Sequence, residues 1–414
     1  MNSYLILVII ITLSAFFAYI NYRFIKMPFV IGLFFLSTIL SLVILTSKLW
    51  GVEYYAEIKD AINHIDISEI ILKIMLGFLL FAGSLHTNWA DIKRQIKPVS
   101  LFAIGGVMLS TIIIAGILYA TCNLMGVTLD FIYCLLFGAL ISPTDPISVL
   151  GILTQAKVSK KIKSTIVGES LFNDGIGVVV FIALLETLKL GNEKIDISNF
   201  GRLFLQEAIG GMVFGLVLAY VLYRLLKSID KYEIEVLLTI AFVMAGYGLC
   251  SYLGLSGALA MVIMGLFIGN YKQDKDKVGI TFEYVLKFWE IINVILNAIL
   301  FISIAFVLVV IDFRMKFILV GIVSILIVLF SRIIVVYLPK LVIPRFTNIN
   351  NNEAKLIIWG GLRGGLSLAL VLSLPDSEAK QILMIATYFC VVFSILIQGL
   401  TIEAIVKKIT NQTM

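Results

Sequence analysis

A short polar stretch at the head of a long apolar segment carries the residues best suited to chemistry. Glu169, Ser170, Asn173 and Asp174 lie close together, and residues 176–185 after them are apolar throughout. A carboxylate at the centre of a bilayer costs about 2.5–3.5 kcal/mol on insertion scales, so it marks a functional site by default. In a helix, Ser170 and Asp174 share one face, as do Glu169 and Asn173. The stretch therefore predicts a polar helix face that binds a cation.

A second acidic residue, Asp145, lies between two prolines in Ser142-Pro143-Thr144-Asp145-Pro146. Each proline removes a backbone donor and clashes with the preceding turn, so a helix must be interrupted here. Lipid tolerates irregular backbone only where it lines a cavity or contacts protein, and its freed carbonyls and side chains can then coordinate an ion. We expect a broken helix, and the alternative is a loop between two short helices.

Two arginines also lie within apolar segments. Arg363 is surrounded by four glycines, which weaken a helix and let another backbone approach closely, so we expect a second interruption. The two interrupted segments are an odd number of spans apart and would cross the membrane in opposite directions, as in an inverted repeat. Arg332 is expected to reach the cytoplasmic face or to pair with an acid such as Glu290.

The composition defines the elements that must position these residues. The chain has 414 residues, of which 60% are hydrophobic and 14% are charged, which excludes a soluble protein. Apolar stretches long enough to span a bilayer number about thirteen. They are centred near residues 12, 37, 78, 110, 138, 178, 213, 243, 262, 297, 329, 365 and 393. The sequence therefore predicts an all-α polytopic membrane protein without a soluble domain.

Basic residues predict how the chain is oriented. Most of them fall in alternate loops, which places the N-terminus outside and the C-terminus in the cytoplasm. These loops contain Arg23 and Lys26; Lys93, Arg94 and Lys97; Lys157, Lys160, Lys161 and Lys163; and Lys407 and Lys408. The net charge of +6 is explained by this topology beside anionic lipid, so no nucleic-acid partner is expected.

Neither the four cysteines nor the two histidines have metal-binding spacing, and no cofactor is expected.

The polar residues favour a transporter. A hard monovalent cation prefers oxygen ligands, which Asp174, Ser170, Asp145 and the freed backbone around Thr144 can supply. A site that binds either a cation or a proton crosses the membrane neutralised, whereas an empty anionic site pays the penalty for charge in lipid. This competition predicts exchange of a cation for a proton, and it predicts that the protein is not an enzyme.

Two other classes remain as alternatives. A channel needs a continuous polar pore, whereas the polar residues here lie at one level with apolar sequence on either side. An intramembrane aspartyl protease could use Asp145 and Asp174 as a catalytic dyad, but that reading explains neither Arg363 nor the two prolines.

Four motifs, considered together, resemble those of the NhaP-type sodium/proton antiporters. They are Thr144-Asp145-Pro146, residues 168–175, Phe288-Trp289-Glu290 with Asn297, and residues 360–365. The likeness extends from roughly residue 72 to residue 400. It implies an NhaA-like fold of inverted repeats with two interrupted helices that cross, and a homodimer. Within one domain over 1–414, we expect an ion-translocating core at about 98–190 and 315–410. Scaffold and dimerisation helices are expected at about 1–97 and 198–310.

The resemblance also implies roles for single residues. The implied cation and proton site consists of Asp174, Asp145, Ser170 and the Thr144 carbonyl; Asn173 anchors the broken helix, and Glu169 and Arg363 form a structural ion pair. Many relatives have an acid where this chain has Ala82, so one carboxylate ligand is missing. Related electrogenic antiporters have an aspartate at the position of Asn173. We therefore expect electroneutral exchange of one sodium or lithium ion for one proton in the plasma membrane, with potassium as the alternative cation.

Overall fold

The structure, a computed structural model, describes residues 3–47, 67–145, 158–189, 197–271, 280–311 and 314–411. Throughout these ranges the regular structure is helical, without strands. The main helices are α1 (Ser3–Ile20), α2 (Phe29–Ser47), α3 (Leu76–Leu85), α4 (Val107–Leu124), α5 (Phe131–Ile141), α6 (Lys160–Lys189), α7 (Ile197–Lys227), α8 (Tyr232–Tyr252), α9 (Gly257–Tyr271), α10 (Ile280–Val310), α11 (Met315–Val342), α12 (Asn351–Trp359), α13 (Gly365–Leu372), α14 (Glu378–Val392) and α15 (Gly399–Asn411).

Shorter helical pieces extend or connect these helices. Four are short α-helices at Ile67–Glu69, Trp89–Arg94, Ile96–Ser100 and Pro344–Thr347, and four are π-helical at Asn21–Ile25, Ile70–Met75, Leu101–Gly106 and Phe393–Gln398. Single π-helical turns inside longer helices are frequent near functional sites. Phe393–Gln398 joins α14 to α15, and its Ser394 contacts the second interruption, described below.

Length and hydropathy identify the membrane spans. Among the described residues, nine helices are long and apolar enough to cross a bilayer, and three shorter apolar helices cover Ile70–Leu85, Phe131–Ile141 and Gly257–Asn270. The predicted all-α polytopic membrane protein is therefore confirmed. Every predicted span centre lies within a helix, but the count of thirteen stays a prediction because several of these helices are short or split.

The second predicted interruption is present in full, and the first is present as far as the structure describes it. Helix α12 ends at Trp359, residues 360–364 are irregular, and α13 begins at Gly365. Helix α5 ends at Ile141, just before the first of the two prolines. Residues 146–157, the expected second half of that broken helix, lie outside the described residues.

The two interruptions touch each other. The backbone N–H of Asp145 donates a hydrogen bond to the carbonyl of Leu362 at 2.8 Å. Two glycines allow the surrounding helices to approach this crossing closely. A Cβ on Gly138 of α5 would lie 2.5 Å from the Thr111 carbonyl oxygen on α4, and one on Gly177 of α6 would overlap Pro143. Ordinary side chains at these positions would force the helices apart.

Trp289 of α10 is the centre of a separate aromatic cluster. It is fully buried, and its indole N–H donates to Thr239 Oγ1 on α8 at 2.9 Å. Its ring lies 5.5 Å from that of Phe78 and 4.7 Å from that of Phe81. The Phe288-Trp289-Glu290 motif therefore ties α10 to α3 and α8.

Candidate functional site

Asn173 of α6 holds the irregular backbone that follows α5. Its side-chain oxygen accepts from the Thr144 backbone N–H at 3.3 Å, and its side-chain nitrogen donates to Thr144 Oγ1 at 3.0 Å. Thr144 Oγ1 also shares a hydrogen bond with Ser170 Oγ at 3.0 Å. All three residues are buried. The structure thus brings together three of the residues that the sequence analysis singled out, and it uses both ends of the Asn173 amide.

The two carboxylates of the predicted site lie beside this cluster. Asp174 follows Asn173 on α6 and is partly exposed. Asp145 is fixed by its backbone hydrogen bond to Leu362, and its side chain lies against Gly364. The two carboxylates thus follow directly in the chain after Thr144 and Asn173, whose side chains are hydrogen-bonded to each other. Carboxylate and hydroxyl oxygens are the ligands that hard cations prefer.

Glu169 does not pair with Arg363, so that prediction was wrong. Its carboxylate accepts two hydrogen bonds from Arg332 of α11, one from Nη1 at 2.5 Å and one from Nη2 at 3.1 Å. Both side chains are buried, with exposed fractions of 1% and 7%. A bidentate pair of this kind satisfies the carboxylate fully. Arg332 reaches neither the cytoplasmic face nor Glu290, contrary to the expectation from its position in α11.

Arg332 also contacts the second interruption. Its Nη2 donates to the Ile357 carbonyl at 3.1 Å, and a Cβ on Gly361 would lie 2.7 Å from its Nε. The glycine leaves room for the guanidinium, so Arg332 links α6, α11 and the end of α12. Sequence reasoning missed this role because an arginine within an apolar span gives no sign of which distant acid it meets.

Arg363 binds backbone instead of a carboxylate. Its guanidinium donates to the Ser142 carbonyl and, at 2.9 Å, to the Pro143 carbonyl, and its own N–H donates to Ser394 Oγ at 2.7 Å. The last carbonyls of a helix have no partner within it and carry partial negative charge. Arg363 therefore caps the C-terminal end of α5 and joins it to the second interruption.

A cavity of about 480 Å³ lies beside the first half of α6. Its walls include Leu171 of α6, three residues before Asp174, together with Gly83 of α3 and Asn293 of α10. One turn of helix separates Leu171 from Asp174. The wall of the cavity therefore includes the helix turn that precedes Asp174.

Charged residues line the wider part of this cavity. Lys160 and Lys163 come from the first turn of α6, and His86 and Asp91 come from the segment after α3. Burial lowers the pKa of the His86 imidazole, and the Glu290 carboxylate partly opposes that shift. The imidazole consequently adds less positive charge near neutral pH than a fully hydrated histidine would.

Ala82 is fully buried in α3. It offers no oxygen ligand, so the oxygen groups identified in the described residues come from the two interruptions and from α6. The neighbouring Gly83 lines the cavity, and a Cβ there would meet no atom within 4 Å. The α3 side of the cavity is therefore open next to Ala82.

Fold and site together define a class of protein. A helical membrane protein whose interrupted segments meet beside carboxylates has the architecture of a secondary active transporter. The family model described as "Sodium/hydrogen exchanger, transmembrane" matches residues 12–408. The chain therefore belongs to the sodium/hydrogen exchanger family.

Individual relatives agree with this assignment. The chain is 44% identical over 404 residues to the Na+/H+ antiporter NhaP of Pseudomonas aeruginosa, covering 96% of this chain and 95% of the relative. It is 34% identical over 379 residues to the Na+/H+ antiporter NhaH of Halobacillus dabanensis, covering 88% and 90%. The solved structure of the sodium proton antiporter MjNhaP1 from Methanocaldococcus jannaschii superposes with a TM-score of 0.76 at 20% identity, covering 97% of both chains. That likeness shows a shared fold.

Proposed function

We propose that the protein exchanges sodium for protons across the membrane and that both ions bind at Asp174. The observation that carries this proposal is the meeting of the two interruptions at Asp145, on a segment that Asn173 of α6 holds one residue before Asp174. Membership of the sodium/hydrogen exchanger family and 44% identity to an Na+/H+ antiporter support sodium as the cation.

The cation is held by oxygen atoms. Asp174 supplies the main carboxylate, and Asp145, Ser170 and the Thr144 carbonyl lie around it. Support comes from the hydrogen bonds that fix Thr144 and Ser170 against each other and against α6. A preorganised set of oxygens replaces the hydration shell that a hard cation loses.

Coupling follows from competition for one carboxylate. Asp174 carries either a proton or a sodium ion when the core moves, and the empty anionic form is held back by the cost of charge in lipid. Glu169 takes no part because Arg332 already balances its charge. Asn173 carries no charge and both ends of its amide are engaged. Asp145 stays ionised throughout the cycle, so only Asp174 alternates between a proton and a sodium ion. One sodium ion therefore moves against one proton, and the exchange is electroneutral.

Movement takes place between two parts of the chain. The core comprises about 98–190 and 315–410, and the scaffold, about 1–97 and 198–310, also forms the homodimer. The contacts of Arg332 and Arg363 support a core that moves as one unit, because they tie α5, α6 and α11 to the second interruption. The protein resides in the plasma membrane in contact with lipid, with its N-terminus outside and its C-terminus in the cytoplasm, as the basic loops indicate.

Proton flux in vesicles tests this function. Purified protein is reconstituted with an internal pH indicator, a pH gradient is imposed, and sodium, lithium or potassium is added in turn. Sodium and lithium should each collapse the gradient, and the apparent KM for sodium should rise as pH falls because protons compete for Asp174. Collapse by potassium alone would make the protein a potassium/proton antiporter. Absence of cation-dependent flux would contradict antiport and leave the aspartyl protease reading to be tested with peptide substrates.

A further inference from the structure

Gly364 is the last residue of the second interruption and precedes α13. Its backbone has φ −113° and ψ −168°, which is extended and open to any residue. Conformational freedom therefore does not explain a glycine here. The remaining physical reason for a glycine is close approach of another part of the chain.

That neighbour is Asp145. A Cβ on Gly364 would lie 2.8 Å from Asp145 Cβ, 3.2 Å from its Cγ and 3.0 Å from its Oδ2. Carbon atoms that are not bonded prefer separations of about 3.5–4.0 Å. The three nearest heavy atoms all belong to the Asp145 side chain, so a side chain at residue 364 displaces that carboxylate.

Asp145 cannot withdraw without breaking a contact. Its N–H is hydrogen-bonded to the Leu362 carbonyl at 2.8 Å, two residues before Gly364. Arg363, between them, is tied to the carbonyls of Ser142 and Pro143 on the same segment as Asp145. The backbone on both sides of the contact is thus fixed.

We propose that Gly364 is a positioning residue of the cation site, and that the absence of its side chain sets where the Asp145 carboxylate lies relative to Asp174. This inference rests on the proposed function. Binding groups must be held to within about 0.5 Å of their productive geometry. A methyl group at residue 364 moves one of the two carboxylates by an amount of that order, so it changes both the strength of cation binding and the preferred cation size.

The substitution Gly364→Ala tests the proposal, with Gly116→Ala as the matched control. Gly116 lies in α4, and a Cβ there would meet no atom within 4 Å. In the vesicle assay, Gly364→Ala should raise the apparent KM for sodium about tenfold and alter the ratio of the sodium and lithium KM values, with a smaller change in kcat. Gly116→Ala should match the parent. A Gly364→Ala protein with parental KM values for both ions would overturn the proposal.

A melting experiment tests the contact itself. Gly364→Ala should lower the melting temperature in detergent, but in an Asp145→Gly background it should have no further effect because the opposing Cβ is absent. Equal losses in both backgrounds would overturn the contact. If Gly364→Ala does not fold alone, recovery of folded protein by Asp145→Gly supports the proposal, and failure to recover counts against it.

A parent protein without exchange would overturn the proposed function together with this inference, whereas parental exchange with an unchanged Gly364→Ala KM would overturn this inference alone.

Discussion

At the residue scale, the neighbours Asn173 and Asp174 have different tasks. The Asn173 amide is occupied on both sides by Thr144, which makes it an anchor for the irregular backbone after α5. Asp174 is partly exposed and, in the proposed mechanism, binds the exchanged ion. Under that proposal, structural support and ion binding fall to two consecutive residues of α6.

Asp174→Asn should abolish exchange while the protein still inserts and purifies. Asparagine keeps the size and hydrogen-bonding capacity of aspartate, but it neither binds a proton nor offers charge to a cation. Sodium-dependent proton flux in vesicles measures the effect, and an unchanged elution profile and melting temperature serve as the control. Substantial flux from a folded Asp174→Asn protein would show that another group carries the ions.

Glu169 and Arg332 should act on stability as a coupled pair. Removing one partner leaves a buried charge uncompensated, at a cost of about 3–5 kcal/mol. Each single alanine variant should therefore melt well below the parent, and the double variant should lose much less than the sum of the two. The cycle of Glu169→Ala with Arg363→Ala should show a smaller coupling, since Arg363 binds carbonyls. Equal coupling in the two cycles would contradict the pairing described for the structure.

The charged residues of the site were predictable from the sequence, but their ion-pair partners were less predictable. An aspartate within a membrane span costs enough free energy to mark it as a functional residue, and Asp145 and Asp174 were identified in this way. The partner of Glu169 was not, because Arg332 is 163 residues away and no local spacing connects them. The free-energy cost of a buried charge implies that an oppositely charged partner is nearby, but it does not identify which residue that partner is.

At the scale of elements, both breaks follow from local chemistry. Pro143 follows the end of α5 and glycines separate α12 from α13, so the sequence was sufficient to predict where helical hydrogen bonding stops. The contact between the breaks, from Asp145 N–H to the Leu362 carbonyl, depends on how distant helices pack and could not be predicted. The role of Arg363 as a cap of α5 also depends on how distant helices pack, so it could not be predicted either.

Arg363→Ala should destabilise the protein and weaken cation binding together. Each carbonyl left unpaired in a buried site costs about 1–3 kcal/mol, and the end of α5 loses a positive charge that opposes its dipole. The melting temperature in detergent should fall, and the apparent KM for sodium should rise. Arg363→Lys should give a milder effect, since lysine can still donate to a carbonyl. A lysine variant as impaired as the alanine variant would indicate that the paired geometry of the guanidinium is required.

At the scale of the whole molecule, the relevant quantity is the net charge that crosses the membrane in one transport cycle. The buried Glu169 is paired with Arg332, and Asn173 is neutral. The proposed mechanism therefore places one ion or one proton on Asp174 in each crossing. Moving one net charge would couple the cycle to the membrane potential by about 2.3 kcal/mol per 100 mV. An electroneutral cycle has no such coupling.

Sodium/proton exchange should therefore be insensitive to voltage. Proteoliposomes in which a potassium gradient and valinomycin set the membrane potential should reach the same equilibrium end point at every potential, with sodium as substrate. A control without valinomycin shows the end point in the absence of an imposed potential. An end point that shifts with potential would mean that more than one proton moves for each sodium ion, and the role assigned to Asn173 would be wrong.

The most direct test of the central claim is proton release on cation binding. Sodium is added to purified protein in weakly buffered detergent solution near the pH at which Asp174 is half protonated, and the pH change is recorded with an indicator dye. The account predicts release of a proton as sodium displaces it, saturating at no more than about one per chain, with none from Asp174→Asn and none when choline replaces sodium. Calorimetrically detected sodium binding without proton release, or equal release from the Asp174→Asn protein, would contradict the claim that both ions share this carboxylate.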